Sequence, residues 1–179
     1  MRNVNKYITP IMILFFLLHA FFGTLEYIGL YNKFVHKATI LFATLFIILI
    51  LVHAIFGIIF AIKGYKNINK TKTYYLKANK YFYIKTISGI LMIIFIIFHI
   101  ILFTLININF ELAKPLNVPS LIINLLLYIS IFIHLIVSIK PMMISLGIDN
   151  KIFKIILQSF FTLFFIYLIA SNIIYFFEV

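Results

Sequence analysis

Five uninterrupted apolar runs, at residues 8 to 30, 38 to 62, 85 to 108, 119 to 139 and 154 to 177, constrain this chain more than any other feature. At about 1.5 Å per helical residue, each is long enough to cross the hydrocarbon core of a bilayer. In lipid the backbone polar groups must be satisfied inside the segment or in a closed barrel. Runs that do not alternate polar with apolar residues predict helices. Hydrophobic residues make up 65% of the chain and charged ones 11%, with a mean hydropathy of +1.19, and a water-soluble fold cannot hide that much apolar surface. The predicted fold class is therefore an all-α integral membrane protein with five transmembrane helices. It forms a single transmembrane domain over 1–179, because the longest polar connection runs only from Lys63 to Lys85. The first run is too long for a signal peptide, and "HAFFGTLEYIG" offers no convincing cleavage site, so it is predicted to remain a helix.

A net charge of +11 in a soluble protein would suggest nucleic acid, but its placement here argues for membrane topology and no nucleic-acid partner. Arg2 and Lys6 precede the first run. Lys63, Lys66, Lys70, Lys72, Lys77, Lys80 and Lys85 lie at or between the second and third, and Lys140, Lys151 and Lys154 follow the fourth. Only Lys33, Lys37 and Lys114 fall on the opposite side, so the positive-inside rule predicts a cytoplasmic N-terminus and an external C-terminus. The expected location is the bacterial inner (cytoplasmic) membrane. The absence of cysteine excludes disulfides, thiolate metal ligation and covalent c-type haem attachment.

"FLLHAFFG" at 16–23 is nearly repeated as "ILVHAIFG" at 50–57, and two more histidines follow in "IIFHI" and "IFIHL". His19, His53, His99 and His134 thus occupy the first four runs, one each, whereas His36 falls in a short loop and is expected to be solvated. A strongly polar side chain at membrane depth is a functional candidate. The plainer alternative is a neutral imidazole hydrogen-bonded to a neighbouring helix. His53 lies ten residues before Lys63 and His134 six before Lys140, which sets both roughly 9 to 15 Å from one boundary. His19 is thirteen residues after Lys6 and His99 fourteen after Lys85, roughly 20 Å from the same boundary. An inner pair, His53 with His134, and an outer pair, His19 with His99, suit two stacked cofactors better than one four-histidine metal cluster.

Haem b fits that pattern, because its iron accepts one imidazole from each face and its macrocycle needs an apolar slot. One turn after the histidine, on the same face, come Gly23, Gly57 and Ser138 in three of the four runs. The third run has Phe103 there and Gly89 earlier. The small residues give clearance for the macrocycle or, alternatively, close helix packing. Lys85, Lys63 and Lys66 on one side, and Lys33, Lys37 and His36 on the other, are candidates to meet propionates, or are topology anchors.

"LVHAIFGIIFAIKGYKNI" followed by "YFYIKTISGILMIIFIIFHI" resembles the second and third membrane helices of the cytochrome b558 anchor subunit of bacterial succinate dehydrogenases and fumarate reductases. "YISIFIHLIVSIKPMMISLGI" is similar to that family's fourth helix and the segment after it. The resemblance implies five helices and two b haems, with the first four helices forming the haem-binding bundle through one axial histidine each. It implies the second helix paired with the fourth and the first with the third. It also implies anchoring of a flavoprotein and an iron-sulfur subunit on the cytoplasmic face, and electron transfer to a quinone, with menaquinone expected. Where the family usually has an Arg-Thr/Ser-Gly sequence entering the third helix, this chain reads "IKTISG", so Lys85 or Thr86 has to help replace a guanidinium.

Glu26, seven residues after His19, is the one carboxylate inside a run. It reads either as a proton relay near an outer quinone site or as a boundary residue reaching water. Glu111, Asp149 and Glu178 are expected to be solvated, and Asn107 and Asn124 to pack across helices. No nucleotide loop, paired-carboxylate site or Ser-His-Asp arrangement is readable, so the chain is an electron conduit rather than a catalyst in the narrow sense. Three competing readings remain. One is a b-type cytochrome subunit serving a different redox complex. Another is a haem-free transporter using protonatable histidines, and the third is a structural membrane protein.

Overall fold

The computed structural model of the chain describes residues 2–30, 32–71, 76–107 and 118–178; among these, the side chains at 2, 3, 27, 76–78, 103–107 and 178 lie outside it. Expectations for Lys72, Lys77, Phe103, Asn107, Glu111, Lys114 and Glu178 therefore fall outside the described residues or side chains. Five α-helices hold nearly everything described: α1 (Arg2–Tyr27), α2 (Lys33–Thr71), α3 (Leu76–Asn107), α4 (Val118–Leu146) and α5 (Lys151–Glu178). Each carries a segment long and apolar enough to span a membrane, and the protein is a multi-pass, all-α membrane protein.

Most helix ends fall outside the apolar segments, and caps mark several of them. Asn32 Oδ1 accepts from Val35 N–H at 2.9 Å and starts α2, and Asn150 Oδ1 accepts from Phe153 N–H at 3.0 Å and starts α5. α1 stops at Tyr27, short of the expected residue 30. Gly29 takes φ 80° there, Leu30 N–H reaches Leu25 C=O at 3.0 Å, and Gly29 N–H reaches Glu26 C=O at 3.3 Å. The same closure recurs at Gly147, also φ 80°, after α4. α4 runs through Pro141, beyond the expected end at 139. α2, at 39 residues, extends about 58 Å and continues past residue 62 to Thr71. The connection expected from Lys63 to Lys85 is thus helical at both ends. Lys, Asn and Tyr in water are compatible with a helix, and no proline or glycine cap interrupts "YKNINKT".

The chain divides into two units: Met1–Thr86 with Lys140–Asp149, and Ile87–Ile139 with Asn150–Val179. In the first, α1 lies against α2 through aromatic pairs, Phe16 on Phe46 and Phe22 on Phe42, both with centroids 5.6 Å apart. Farther along α2, Tyr65 meets Phe82 of α3 at 5.1 Å and Tyr83 at 6.0 Å. Gly64 makes that crossing possible, since a Cβ there would stand 2.6 Å from Phe82 Cε2.

The second unit is built on α3, α4 and α5. Its interior holds polar side chains beside Leu168, Ile139 and Phe161, while many other large apolar side chains face outward. Ser120 and Asn172 are fully buried, whereas Leu163 is 67% exposed and Ile156 59%. That arrangement suits a lipid solvent, in which apolar surface outside is costless and polar groups must pair with one another. Ser130 and Ser171 return their hydroxyls to the carbonyls of Leu126 and Tyr167, both at 2.8 Å.

Candidate functional site

His19 sits on α1, His53 on α2, His99 on α3 and His134 on α4, and each is partly buried. Each unit carries two of the four. In every case Nδ1 faces an oxygen atom.

His19 Nδ1 lies 3.2 Å from the backbone carbonyl of Thr39, which can only accept, so the imidazole proton is on Nδ1. Gly23, one turn along, rests 3.9 Å (as a constructed Cβ) from the Thr39 methyl, an ordinary contact. His53 Nδ1 lies 3.0 Å from Asn5 Oδ1 and 3.4 Å from Thr9 Oγ1. Thr9 donates its own hydrogen to the Asn5 carbonyl at 2.9 Å, leaving its oxygen to accept from His53.

In the second unit, His134 Nδ1 lies 3.2 Å from Ser88 Oγ. A Cβ on Gly89 would come within 3.2 Å of His134 Cε1, so the Ser88-Gly89 pair both seats the ring and supplies its partner. His99 Nδ1 lies 2.9 Å from Asn124 Oδ1, and Asn124 in turn donates to Asn172 Oδ1 at 3.2 Å. An imidazole that donates from Nδ1 carries its lone pair on Nε2, and an oriented Nδ1–H is the usual support of a metal-ligating histidine. His19, His53 and His99 therefore have the donor chemistry that ligation of haem b requires, and His134 has it when the Ser88 hydroxyl accepts from Nδ1.

The remaining candidates separate. Ser138 Oγ is buried and has no hydrogen-bond partner among the described residues, unlike Ser130 on the same helix. A Cβ at Gly57 meets no protein atom within 4 Å, so close packing does not demand the glycine there. Lys85 is partly buried and within electrostatic range of His53. Glu26 Oε1 stands 3.4 Å from His36 Nδ1, too poorly aligned for a hydrogen bond but close enough for an ion pair when His36 is protonated. His36, expected to be solvated, is thus 38% exposed and also faces a carboxylate. No three His, Asp or Glu side chains converge as a metal cluster among the described residues.

Sequence reasoning missed Asn5, Thr9 and Asn172, and it did not connect Ser88 with His134. The available signal was an amide or hydroxyl inside an apolar run, which Asn172 in "LIASNIIYF" displays. Gly57→Ala is expected to leave thermal stability in detergent at or above the parent. Gly89→Ala lowers it by about 1 kcal/mol through displacement of the His134 ring, and equal melting temperatures for the two variants would refute the seating role. Searches with family models, among curated proteins and among solved structures give no match to this chain.

Proposed function

We propose that this chain is the dihaem cytochrome b membrane anchor of a succinate:quinone oxidoreductase or quinol:fumarate reductase. In this reading it carries electrons between an iron-sulfur subunit and a membrane quinone, expected to be menaquinone. The observation that supports it best is the common state of four intramembrane histidines on four successive helices, each with Nδ1 against an oxygen. The resemblance of residues 51–68, 81–100 and 128–148 to the cytochrome b558 anchors adds the choice of complex.

Haem b, when bound, supplies reversible one-electron chemistry at its iron. The chain's own residues do the rest. His53 with His134, and His19 with His99, would hold the two haems through Nε2, in the pairing expected from their depths in the sequence. Thr39, Asn5, Thr9, Ser88 and Asn124 hold the rings and raise their basicity through Nδ1–H bonds. Gly57 and Gly23 give clearance one turn from two ligands, and Ser138 offers a hydroxyl one turn from a third. Lys85, near His53, supplies positive charge for a propionate as a point charge rather than a fork. Glu26, beside His36, is positioned to take or release a quinone proton toward the side opposite the lysine-rich segments. Lys63 to Lys85 and Lys140 to Lys154 form the cytoplasmic docking surface for the flavoprotein and iron-sulfur subunits.

The test is a dithionite-reduced minus oxidised spectrum with pyridine haemochrome quantitation on the protein purified in mild detergent from its native membrane. Two b haems per chain, with a flavoprotein and an iron-sulfur protein copurifying, are expected. Two haems with another soluble partner would reassign the complex, and a folded chain without haem, given adequate supply, would return the histidines to packing or proton transport.

A further inference from the structure

Within the second unit, four side chains and one carbonyl form a buried line from α3 through α4 to α5. His99 Nδ1 contacts Asn124 Oδ1 at 2.9 Å, Asn124 Nδ2 contacts Asn172 Oδ1 at 3.2 Å, and Asn172 Nδ2 contacts both Tyr128 Oη at 2.9 Å and the Leu168 carbonyl at 3.0 Å. Asn172 is 0% exposed and Asn124 1%, so water does not compete for these bonds.

The direction of the whole line is decided at its far end. A backbone carbonyl only accepts, so the Asn172 group facing Leu168 must be the amide nitrogen. That turns Asn172 Oδ1 toward Asn124, which must then present its own nitrogen to α5 and its oxygen to His99. An amide oxygen only accepts, so His99 must carry its proton on Nδ1. Each amide in the series donates as well as accepts, which polarises Asn124 Oδ1 and strengthens it as an acceptor.

We infer that Asn172 of α5, held by the Leu168 carbonyl and relayed through Asn124, is a positioning residue that fixes the tautomer and ring orientation of His99. The fifth helix, which bears none of the four histidines, thereby sets the state of one of them. The tautomer follows from the network alone; its redox consequence rests on the cytochrome reading. In a haem-loaded chain a stronger Nδ1–H bond makes the imidazole more basic and favours the oxidised iron, so weakening the network raises the potential of that haem.

The first measurement is ¹⁵N solid-state NMR of the unmodified full-length chain in lipid with labelled histidine, the His99 signal being assigned by its loss in His99→Gln. A protonated Nδ1 and an unprotonated or iron-bound Nε2 are expected; a protonated Nε2 overturns the inference without any variant. In Asn172→Leu, His99 is expected to lose its single tautomer, while His134, whose Nδ1 meets Ser88, keeps its own. Tyr128→Phe, which removes one acceptor but leaves the Leu168 carbonyl, is expected to leave the His99 tautomer unchanged. In the haem-loaded protein, Asn172→Leu is expected to move one b-haem potential upward and leave the other where it was. An unchanged His99 tautomer in a folded Asn172→Leu chain, or a shift of both potentials together, overturns the positioning role. A chain that holds no haem would end the cytochrome reading while the tautomer result still decides this one.

Discussion

In the proposed dihaem protein, His134→Ala is expected to reduce b-haem content from two per chain to one, with His53→Ala doing the same and the double variant losing no more than either single. A haem held by two imidazoles would lose one of its two protein ligands in either variant, and lipid and packed apolar side chains offer no replacement donor. Water is scarce at that depth, so the loss is not rescued by a solvent ligand. Two residues that serve one cofactor must be non-additive, whereas residues serving different cofactors add. His134→Ala combined with His99→Ala is therefore expected to empty both sites. His36→Ala, which faces Glu26 and is not among the proposed ligands, is expected to retain both haems. Pyridine haemochrome assays on equal amounts of folded protein read all of these. Wild-type content in all four single variants would defeat the ligand assignment, and additive losses from His53 and His134 would defeat the pairing.

Gly64→Val is expected to destabilise the protein by about 2 kcal/mol, a fall of roughly 4 to 8 °C in melting temperature on the scale of soluble chains of this length. A Cβ at that position would lie 2.6 Å from Phe82 Cε2 and 2.8 Å from Cζ, well inside van der Waals contact, and valine adds two methyl groups to the same gap. The Phe82 ring cannot simply slide away, because it is bracketed by Tyr65 at 5.1 Å and by Tyr83 at 5.6 Å. Gly23→Ala is the matched control, since its Cβ would meet the Thr39 methyl at 3.9 Å, an ordinary contact. Thermal melts in one detergent compare them, and a Gly64→Val chain as stable as Gly23→Ala would show that α2 and α3 do not approach at this point.

The competing transporter reading makes its own demand on the same histidines. Histidines that work by taking up protons must change charge state, and those that ligate a cofactor must keep a neutral ring with one lone pair committed. The Thr39 carbonyl against His19 and the Asn124 amide oxygen against His99 both accept from Nδ1, which fixes the position of the proton in the neutral ring.

Much of this architecture was legible in the letters alone. The five runs determined five helices, because a backbone in lipid has almost no other way to satisfy its own polar groups. The histidine in each of the first four runs was equally visible, since one polar residue among Ile, Leu and Phe stands out at any depth. The helix ends were less so: Tyr27 and Leu146 mark where Gly29 and Gly147 permit a stop, and neither coincides with the edge of an apolar run. What faces each imidazole could not be read at all. Asn5 lies 48 residues from His53, Ser88 46 from His134, and Asn124 48 from Asn172. Residue type shows that a polar group exists, whereas helix rotation and axial offset decide which atoms come within 3 Å of each other. Those two quantities come from side-chain packing, from Gly64 against Phe82 and Gly89 against His134, and only the tertiary structure contains them.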